Sequence, residues 1–169
     1  MGSEMCIRDS LKADLFISIH ADSADNPEAS GATVYTLSAT GSTETAARLA
    51  AKENRADTIN GVQLSSQSDA VSAILVDLAQ RDSAARSEEF ARLVLREGEG
   101  ALHFRERGIQ SAAFAVLKSA DLPSVLFEAG YISNPVDAAE LASPAGRKAF
   151  ADVTAQAVRV YFARRLEAP

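Results

Sequence analysis

Two residues have the clearest chemical potential, His20 and Glu128, each at the end of an apolar run. His20 closes the apolar part of "DLFISIHADS" (Asp14 to Ser23), where Leu15, Phe16, Ile17 and Ile19 give way to Asp22 and Ser23. Glu128 lies in "SVLFEAGYISN", after an apolar run and before a glycine. A catalytic zinc takes about three protein ligands and keeps one position open for water. A nearby carboxylate then takes the water's proton and returns it to the leaving group. His20 suits the first role, with Asp22 and Ser23 as polar neighbours to orient its ring. A glutamate partly withdrawn from water holds its proton more tightly, which suits the second. Taken singly, a histidine at a strand end is more often structural, and a glutamate in a turn is more often solvated.

The elements that must position these residues are legible as patterns. Asp14 to His20 is apolar almost throughout, which predicts a strand buried on both faces. "ADSADNPEASG" follows as a loop, and "GATVYTLS" (Gly31 to Ser38) alternates like a second strand. Thr43 to Asp57 is an alanine-rich helix candidate, and "INGVQLSSQS" reads as a second loop. Val71, Ile74, Leu75 and Leu78 fall at helical spacing and form one apolar stripe. Asp82 or Ser83 is placed to cap a further helix through Phe90, Leu93 and Val94. "AFAVLKS" and "SVLFEAGY" read as short strands separated by a turn at "ADLP". Asn134-Pro135 and Ser143-Pro144 each set a capping residue before proline at a first helical position. The last helix gathers Phe150, Val153, Ala157, Val160 and Tyr161 on one face and ends on Arg164 and Arg165, which suits its dipole. Strands alternating with helices predict an α/β domain of three layers, a mostly parallel twisted sheet flanked by helices. His20 and Glu128 both fall at strand carboxyl ends, where such sheets gather their active residues.

Bulk properties narrow the function classes. A chain of 169 residues suits one domain with a real core. Its formal charge of -6 argues against nucleic acid as the main partner. No apolar run reaches the length of a membrane span. The single cysteine, Cys6, excludes an internal disulfide or a cysteine-rich zinc site. "MGSEMCIRDS" (Met1 to Ser10) has neither a helical nor a strand period and lacks a signal-peptide core. It reads as a non-native or disordered tail, with the domain proper spanning 11–169.

"DLFISIHADS", "GATVYTLS", "LPSVLFEAGYISNP" and the closing amphipathic helix together resemble the zinc-dependent N-acetylmuramoyl-L-alanine amidases of bacterial cell-wall turnover and division. The likeness runs from about Lys12 to the C-terminus. It implies that His20, in its "SIHAD"-type motif, is a ligand of Zn2+. It also implies that Glu128, in its "E-x-G-[FY]-x-SN" motif, is the catalytic base. The implied reaction is hydrolysis of the amide between the lactyl group of N-acetylmuramic acid and L-alanine of the stem peptide, in the periplasm. Family members carry two further ligands upstream, a histidine in a "GHGG"-like loop and then a glutamate, and neither has a counterpart here. His103 lies in the charged stretch "GALHFRERG" and reads as structural or exposed. The expectation is therefore a fold lacking its first strand or strands, His20 as the one recognised ligand, no tight zinc binding and no hydrolysis by this chain.

About 41–83 resembles the regulatory insertion of the division-associated Gram-negative amidases, through "AAKENRADTINGV" and "AVSAILVDLAQ". That resemblance implies an autoinhibitory helix whose glutamate occupies the open zinc position, with Glu53 the first candidate and Glu44 the second. For either one alone, an ordinary surface glutamate is the commoner outcome. The resemblance also implies activation by a LytM-domain protein that draws the helix away, a shift between closed and open states. The Val71, Ile74, Leu75 and Leu78 stripe would pack on the core or receive that activator. A peptidoglycan-binding or regulatory module that keeps the fold without catalysis is the alternative. Another zinc hydrolase, such as a carboxypeptidase, fits "FEAGYISN" and the strand order less well.

Overall fold

The computed structural model describes residues 13–59, 70–119 and 121–167, with the side chains of 56–59, 70–77 and 167 outside that description. The Met1 to Ser10 tail and most of the "INGVQLSSQS" loop therefore lie outside the described residues. The elements in order are strands β1 (Phe16–His20) and β2 (Ala32–Leu37), and helices α1 (Glu44–Ile59) and α2 (Ala70–Gly98). Strand β3 (Phe104–Ala112), a 3-10 turn (Ala115–Leu117) and strand β4 (Ser124–Glu128) follow. Helices α3 (Pro135–Ala142) and α4 (Pro144–Glu167) close the fold.

The strands form one sheet in the order β1-β4-β2-β3. Phe16 N donates to Pro123 O, and Ala129 N donates to His20 O, so β1 and β4 advance together in parallel. Ala32 N to His103 O and Ser38 N to Ala112 O give β2 and β3 the same relation. β2 and β4 are antiparallel, with Thr33 opposite Glu128, Val34 opposite Phe127 and Tyr35 opposite Leu126. Two of three neighbouring pairs are thus parallel, as the alternation of strands and helices leads one to expect. The parallel β1–β4 pair sets His20 and Glu128 at matching strand ends, and the antiparallel β2 brings its own first residues to Glu128.

The described residues fall into two compact units. One comprises Met1–Ser18, Thr36–Ser87 and Gln110–Val125, counted over the described residues. Here Thr43 caps α1, its Oγ1 accepting from Ala46 N at 3.1 Å and donating to Gln110 Oε1 at 2.6 Å. Asn54 ties α1 to the 3-10 turn through Ala113 O (2.8 Å) and Ala115 N (2.7 Å). Ser87 Oγ donates to Ser83 O and accepts from Ser124 N at 2.8 Å, which pins the start of β4 to α2. The other unit comprises Ile19–Tyr35, Glu88–Ile109 and Leu126–Pro169. Its core holds Phe90 edge-on to Tyr161 at 5.6 Å and Phe127 against Phe150 at 4.5 Å. Val153, Ala157 and Tyr161 of α4 are buried with them. Both proline-led helix starts form as the local chemistry dictates. Asn134 accepts from Val136 N and Asp137 N, and Ser143 Oγ accepts from Gly146 N.

Three expectations need correction, and a fourth falls mostly outside the described residues. β1 is not buried on both faces: it stands at one end of the strand order, and Ile19 is 58% exposed. No helix begins at Asp82 or Ser83, because α2 runs unbroken from Ala70 to Gly98. Asp82 pairs with Arg86 at 2.8 Å one turn on, and the Ser87 hydroxyl bonds back to Ser83 O, so neither capping type is needed as a cap. "AFAVLKS" is not a strand. Phe114 to Leu117 are buried in a turn whose backbone closes on itself, Leu117 N to Phe114 O and Lys118 N to Ala115 O. The strand lies upstream, in the charged Phe104–Ala112 stretch, where only Gly108, Gln110 and Ala112 are buried. Of the Val71, Ile74, Leu75 and Leu78 stripe, the first three side chains lie outside the described residues, and Leu78 is 65% exposed.

Candidate metal centre and active site

Asp22 joins the two strand ends. Its backbone N–H donates to Glu128 Oε1 at 2.8 Å, and its carboxylate Oδ2 lies 3.6 Å from His20 Nδ1. The second distance is an electrostatic contact longer than a hydrogen bond. Glu128 is fully buried at the end of β4, whereas the His20 and Asp22 side chains are 12% and 20% exposed. The histidine is thus reachable from solvent and the glutamate is not.

The loops carrying these residues are laced together. Asp22 O accepts from Ile132 N at 2.8 Å, and Ser133 Oγ accepts from Ala24 N at 3.0 Å. Asn134 Nδ2 donates to Pro27 O at 3.1 Å. Asp137 Oδ2 accepts from both Gly31 N (2.9 Å) and Tyr131 N (2.8 Å), although the aspartate itself is buried. Gly130 must be glycine for this contact: its φ is +147°, and a Cβ there would stand 3.0 Å from Asp137 Oδ2. The "ISNP" of the motif is therefore the fastener that holds the His20 loop against the glutamate.

His20 Nδ1 and Asp22 Oδ2, 3.6 Å apart, could face one cation together. An imidazole nitrogen and a carboxylate oxygen are both donors that zinc accepts. Glu128 is engaged otherwise, its Oε1 accepting from the Asp22 amide. Of the two glutamates predicted on α1, Glu53 is buried. Glu44 is not: it pairs with Arg48 at 2.6 Å, and its side chain is 80% exposed. His103 is exposed, as expected, and its carbonyl serves the β2–β3 pairing.

Sequence reasoning assigned Asp22 only to orienting the ring, and the place of its carboxylate beside the imidazole as a second candidate ligand is new. It also passed over Asp137, although an acidic residue three positions after a capping asparagine was a usable sign. The Tyr35–Tyr131–Arg105 group, two buried tyrosines and a half-buried arginine, gave no signal, since Arg105 sits in a run read as surface. Tyr35 Oη is 3.3 Å from Tyr131 Oη, and Arg105 Nη1 donates to Tyr131 Oη at 3.0 Å. Burial pushes the Tyr35 phenol far above its ordinary range, Tyr131 and the Glu128 charge add to this, and Arg105 opposes it.

Comparison with known proteins accords with this geometry. The family model described as N-acetylmuramoyl-L-alanine amidase matches residues 3–160. The N-acetylmuramoyl-L-alanine amidase AmiA of Escherichia coli is 38% identical over 151 residues, 89% of this chain and 52% of that protein. AmiC of Neisseria meningitidis is 36% identical over 151 residues, 89% of this chain and 36% of that protein. The chain thus spans about half or less of the length of these curated relatives. Among solved structures, the N-acetylmuramyl-L-alanine amidase of Mycobacterium smegmatis superposes with a TM-score of 0.62 at 19% identity, over 96% of this chain and 60% of that one. The catalytic domain of the Paenibacillus polymyxa amidase CwlV gives 0.60 at 21% identity, over 94% and 63%. The extent of the family match and the identity to these relatives show that the chain belongs to the Amidase_3 family of N-acetylmuramoyl-L-alanine amidases.

Proposed function

We propose that this chain forms part of a zinc-dependent peptidoglycan hydrolase that cleaves the amide between the lactyl group of N-acetylmuramic acid and L-alanine of the stem peptide. The observation that carries the reading is the junction of the two strand ends, a reachable imidazole tied through Asp22 to a fully buried glutamate. His20 and Asp22 would hold the zinc, which when bound polarises the scissile carbonyl and makes water a competent nucleophile. Glu128, held by the Asp22 amide, takes the proton from that water and delivers it to the leaving amino group of L-alanine. The laced loops keep the imidazole and the carboxylate at fixed separation, so little ordering remains to be done when substrate arrives.

Glu53 would act as the inhibitory latch, a carboxylate in the position that water must take. Its burial supports it over Glu44, which is exposed and paired with Arg48. Release by a LytM-domain activator, action at the division site and a periplasmic location belong to the same proposal. Among the described residues no helix is long and apolar enough to cross a membrane.

The test is release of stem peptides with a free L-alanine amino group from purified peptidoglycan, using the natural protein that carries this chain, supplied with zinc. Glu128→Gln should lower that release by about 100-fold or more, with zinc content unchanged. Full release by Glu128→Gln would remove it as the base, and no release by the parent protein under activating conditions would remove the amidase reading.

A further inference from the structure

Behind the Glu128 carboxylate lies buried polar chemistry that the metal does not use. Thr33, Tyr35 and Glu128 are all fully buried. The antiparallel register puts Thr33 directly opposite Glu128, and Tyr35 opposite Leu126. Directly opposed side chains share a face with their Cβ atoms about 5 Å apart, and the diagonal neighbour remains within reach of an aromatic side chain. Thr33 therefore stands beside the glutamate, with Tyr35 on its diagonal. The Glu128 charge is already felt at Tyr35, where it adds to the upward push on the phenol.

The Thr33 hydroxyl has no hydrogen-bond partner among the described residues. A buried hydroxyl left in that condition is unfavourable, because it has given up water without gaining a partner. Packing alone would be served by valine, which has the same shape and no such cost. A hydroxyl kept there needs a reason, and the one group directly across the strand pair is a carboxylate. Threonine populates more than one χ1 rotamer, so its Oγ1 has rotational freedom to turn toward that neighbour. The Tyr35–Tyr131–Arg105 group extends the same wall, with the guanidinium at its far end donating to the Tyr131 oxygen.

We propose that Thr33 and Tyr35 are positioning residues for the Glu128 carboxylate, the Thr33 hydroxyl supplying a donor to it across the strand pair and the Tyr35–Tyr131–Arg105 group bracing that wall. The proposal rests on Glu128 acting as the base. With the Asp22 amide holding Oε1, a donor from β2 would fix the carboxylate from a second direction and aim it during proton transfer.

The Asp22 amide is a reporter that needs neither zinc nor turnover, because its hydrogen bond ends on the Glu128 oxygen. In the nitrogen-15-labelled chain, Thr33→Val and Tyr35→Phe should each displace the Asp22 amide resonance and speed its hydrogen exchange. For Thr33→Val the speeding should be about tenfold, the scale of one hydrogen bond to a charged group. Thr33→Ser keeps Oγ and should restore both readings. In the parent protein Thr33→Val should lower kcat about tenfold with KM unchanged, and Thr33→Ser should recover it. An unmoved Asp22 amide in both variants, or a serine variant that behaves like valine, overturns the proposal. Retained hydrolysis by Glu128→Gln would instead overturn the base assignment while leaving the amide response intact, so the two failures are told apart.

Discussion

β1 and β4 look alike as sequence and differ in what surrounds them. FISIH and SVLFE are both five-residue strands that end on a residue of the candidate site, and they lie side by side in the sheet. Every residue of β4 is buried, while β1 buries only Ser18. β4 has a hydrogen-bonded neighbour on each edge, and β1 has one among the described residues. The difference matches the two roles proposed. A base works best with its carboxylate fixed and sheltered, and Glu128 ends an inner strand. A ligand has to be reached by an ion from solvent, and His20 ends a strand at one end of the order.

The sharpest way to break this comparison is to cut into β4. Phe127 is fully buried and packs on Phe150 at 4.5 Å. Phe127→Ala should cost about 3–5 kcal/mol, from lost transfer energy and the cavity left behind. Urea unfolding followed by circular dichroism would read it as a fall in midpoint. A cost below about 1 kcal/mol would show that β4 is not the rigid strand described.

Asp137→Ala should come next. It removes the one carboxylate that serves Gly31 N and Tyr131 N, leaving two buried amides without their acceptor. About 2–3 kcal/mol is expected in the same unfolding experiment. The loss should be local as well as global. Faster amide exchange at Gly31 and Tyr131 than at the α4 core would show that the two loops part first, and uniform loss would argue against a specific fastener.

The legible parts of this molecule are those decided within a few residues of chain. Asn134-Pro135 and Ser143-Pro144 mark helix starts because cap and proline act locally, and both helices begin there. His20 and Glu128 stood out because each ends an apolar run. What stayed hidden was decided by neighbours distant in sequence. β3 carries Arg105, Glu106 and Arg107 because it lies at the other end of the strand order, where charge can reach water. Nothing local marks Thr33 as the partner of Glu128, since that pairing depends on register alone. The unbroken α2 misled for the opposite reason. Asp82 and Ser83 have capping chemistry, but no proline lies between Ala70 and Gly98 to stop a helix, and its first glycine is the last residue.

The pH dependence of stability probes the wall behind Glu128. The Tyr35 phenol is raised in the fold, so the folded state holds that proton more tightly than the unfolded chain does. Its contribution is complete below pH ~10, the ordinary tyrosine value, and falls as pH rises above it. The slope is about 1.4 kcal/mol per pH unit for one proton. Stability measured by urea unfolding between about pH 9 and 11 should therefore fall less steeply in Tyr35→Phe than in the parent. Equal slopes would mean that Tyr35 ionises as readily in the fold as outside it.

His20→Ala tests the other strand end through metal rather than stability. The His20 ring is largely covered, so the variant should melt a few degrees below the parent, for a change of about 1–2 kcal/mol. Zinc that binds the folded state raises its melting temperature in proportion to the logarithm of ligand over Kd. That rise should be present in the parent and lost in His20→Ala, with affinity by titration calorimetry weaker by more than about tenfold. An equal zinc-induced rise in both proteins would place the cation elsewhere.

The smallest effect should come from Ile19, and it decides whether the two strands truly differ. Ile19 occupies the fourth position of β1, as Phe127 does in β4, yet it is 58% exposed. Truncating an exposed side chain removes little buried area, so Ile19→Ala should change stability by about 0.5 kcal/mol or less. Ile19→Thr controls for strand propensity, because it keeps the β-branch while exchanging apolar surface for a hydroxyl. If both variants leave the unfolding midpoint in place while Phe127→Ala lowers it strongly, the like-looking runs are an edge and a centre. If Ile19→Ala costs several kcal/mol, that side chain is covered in solution and β1 has a second neighbour.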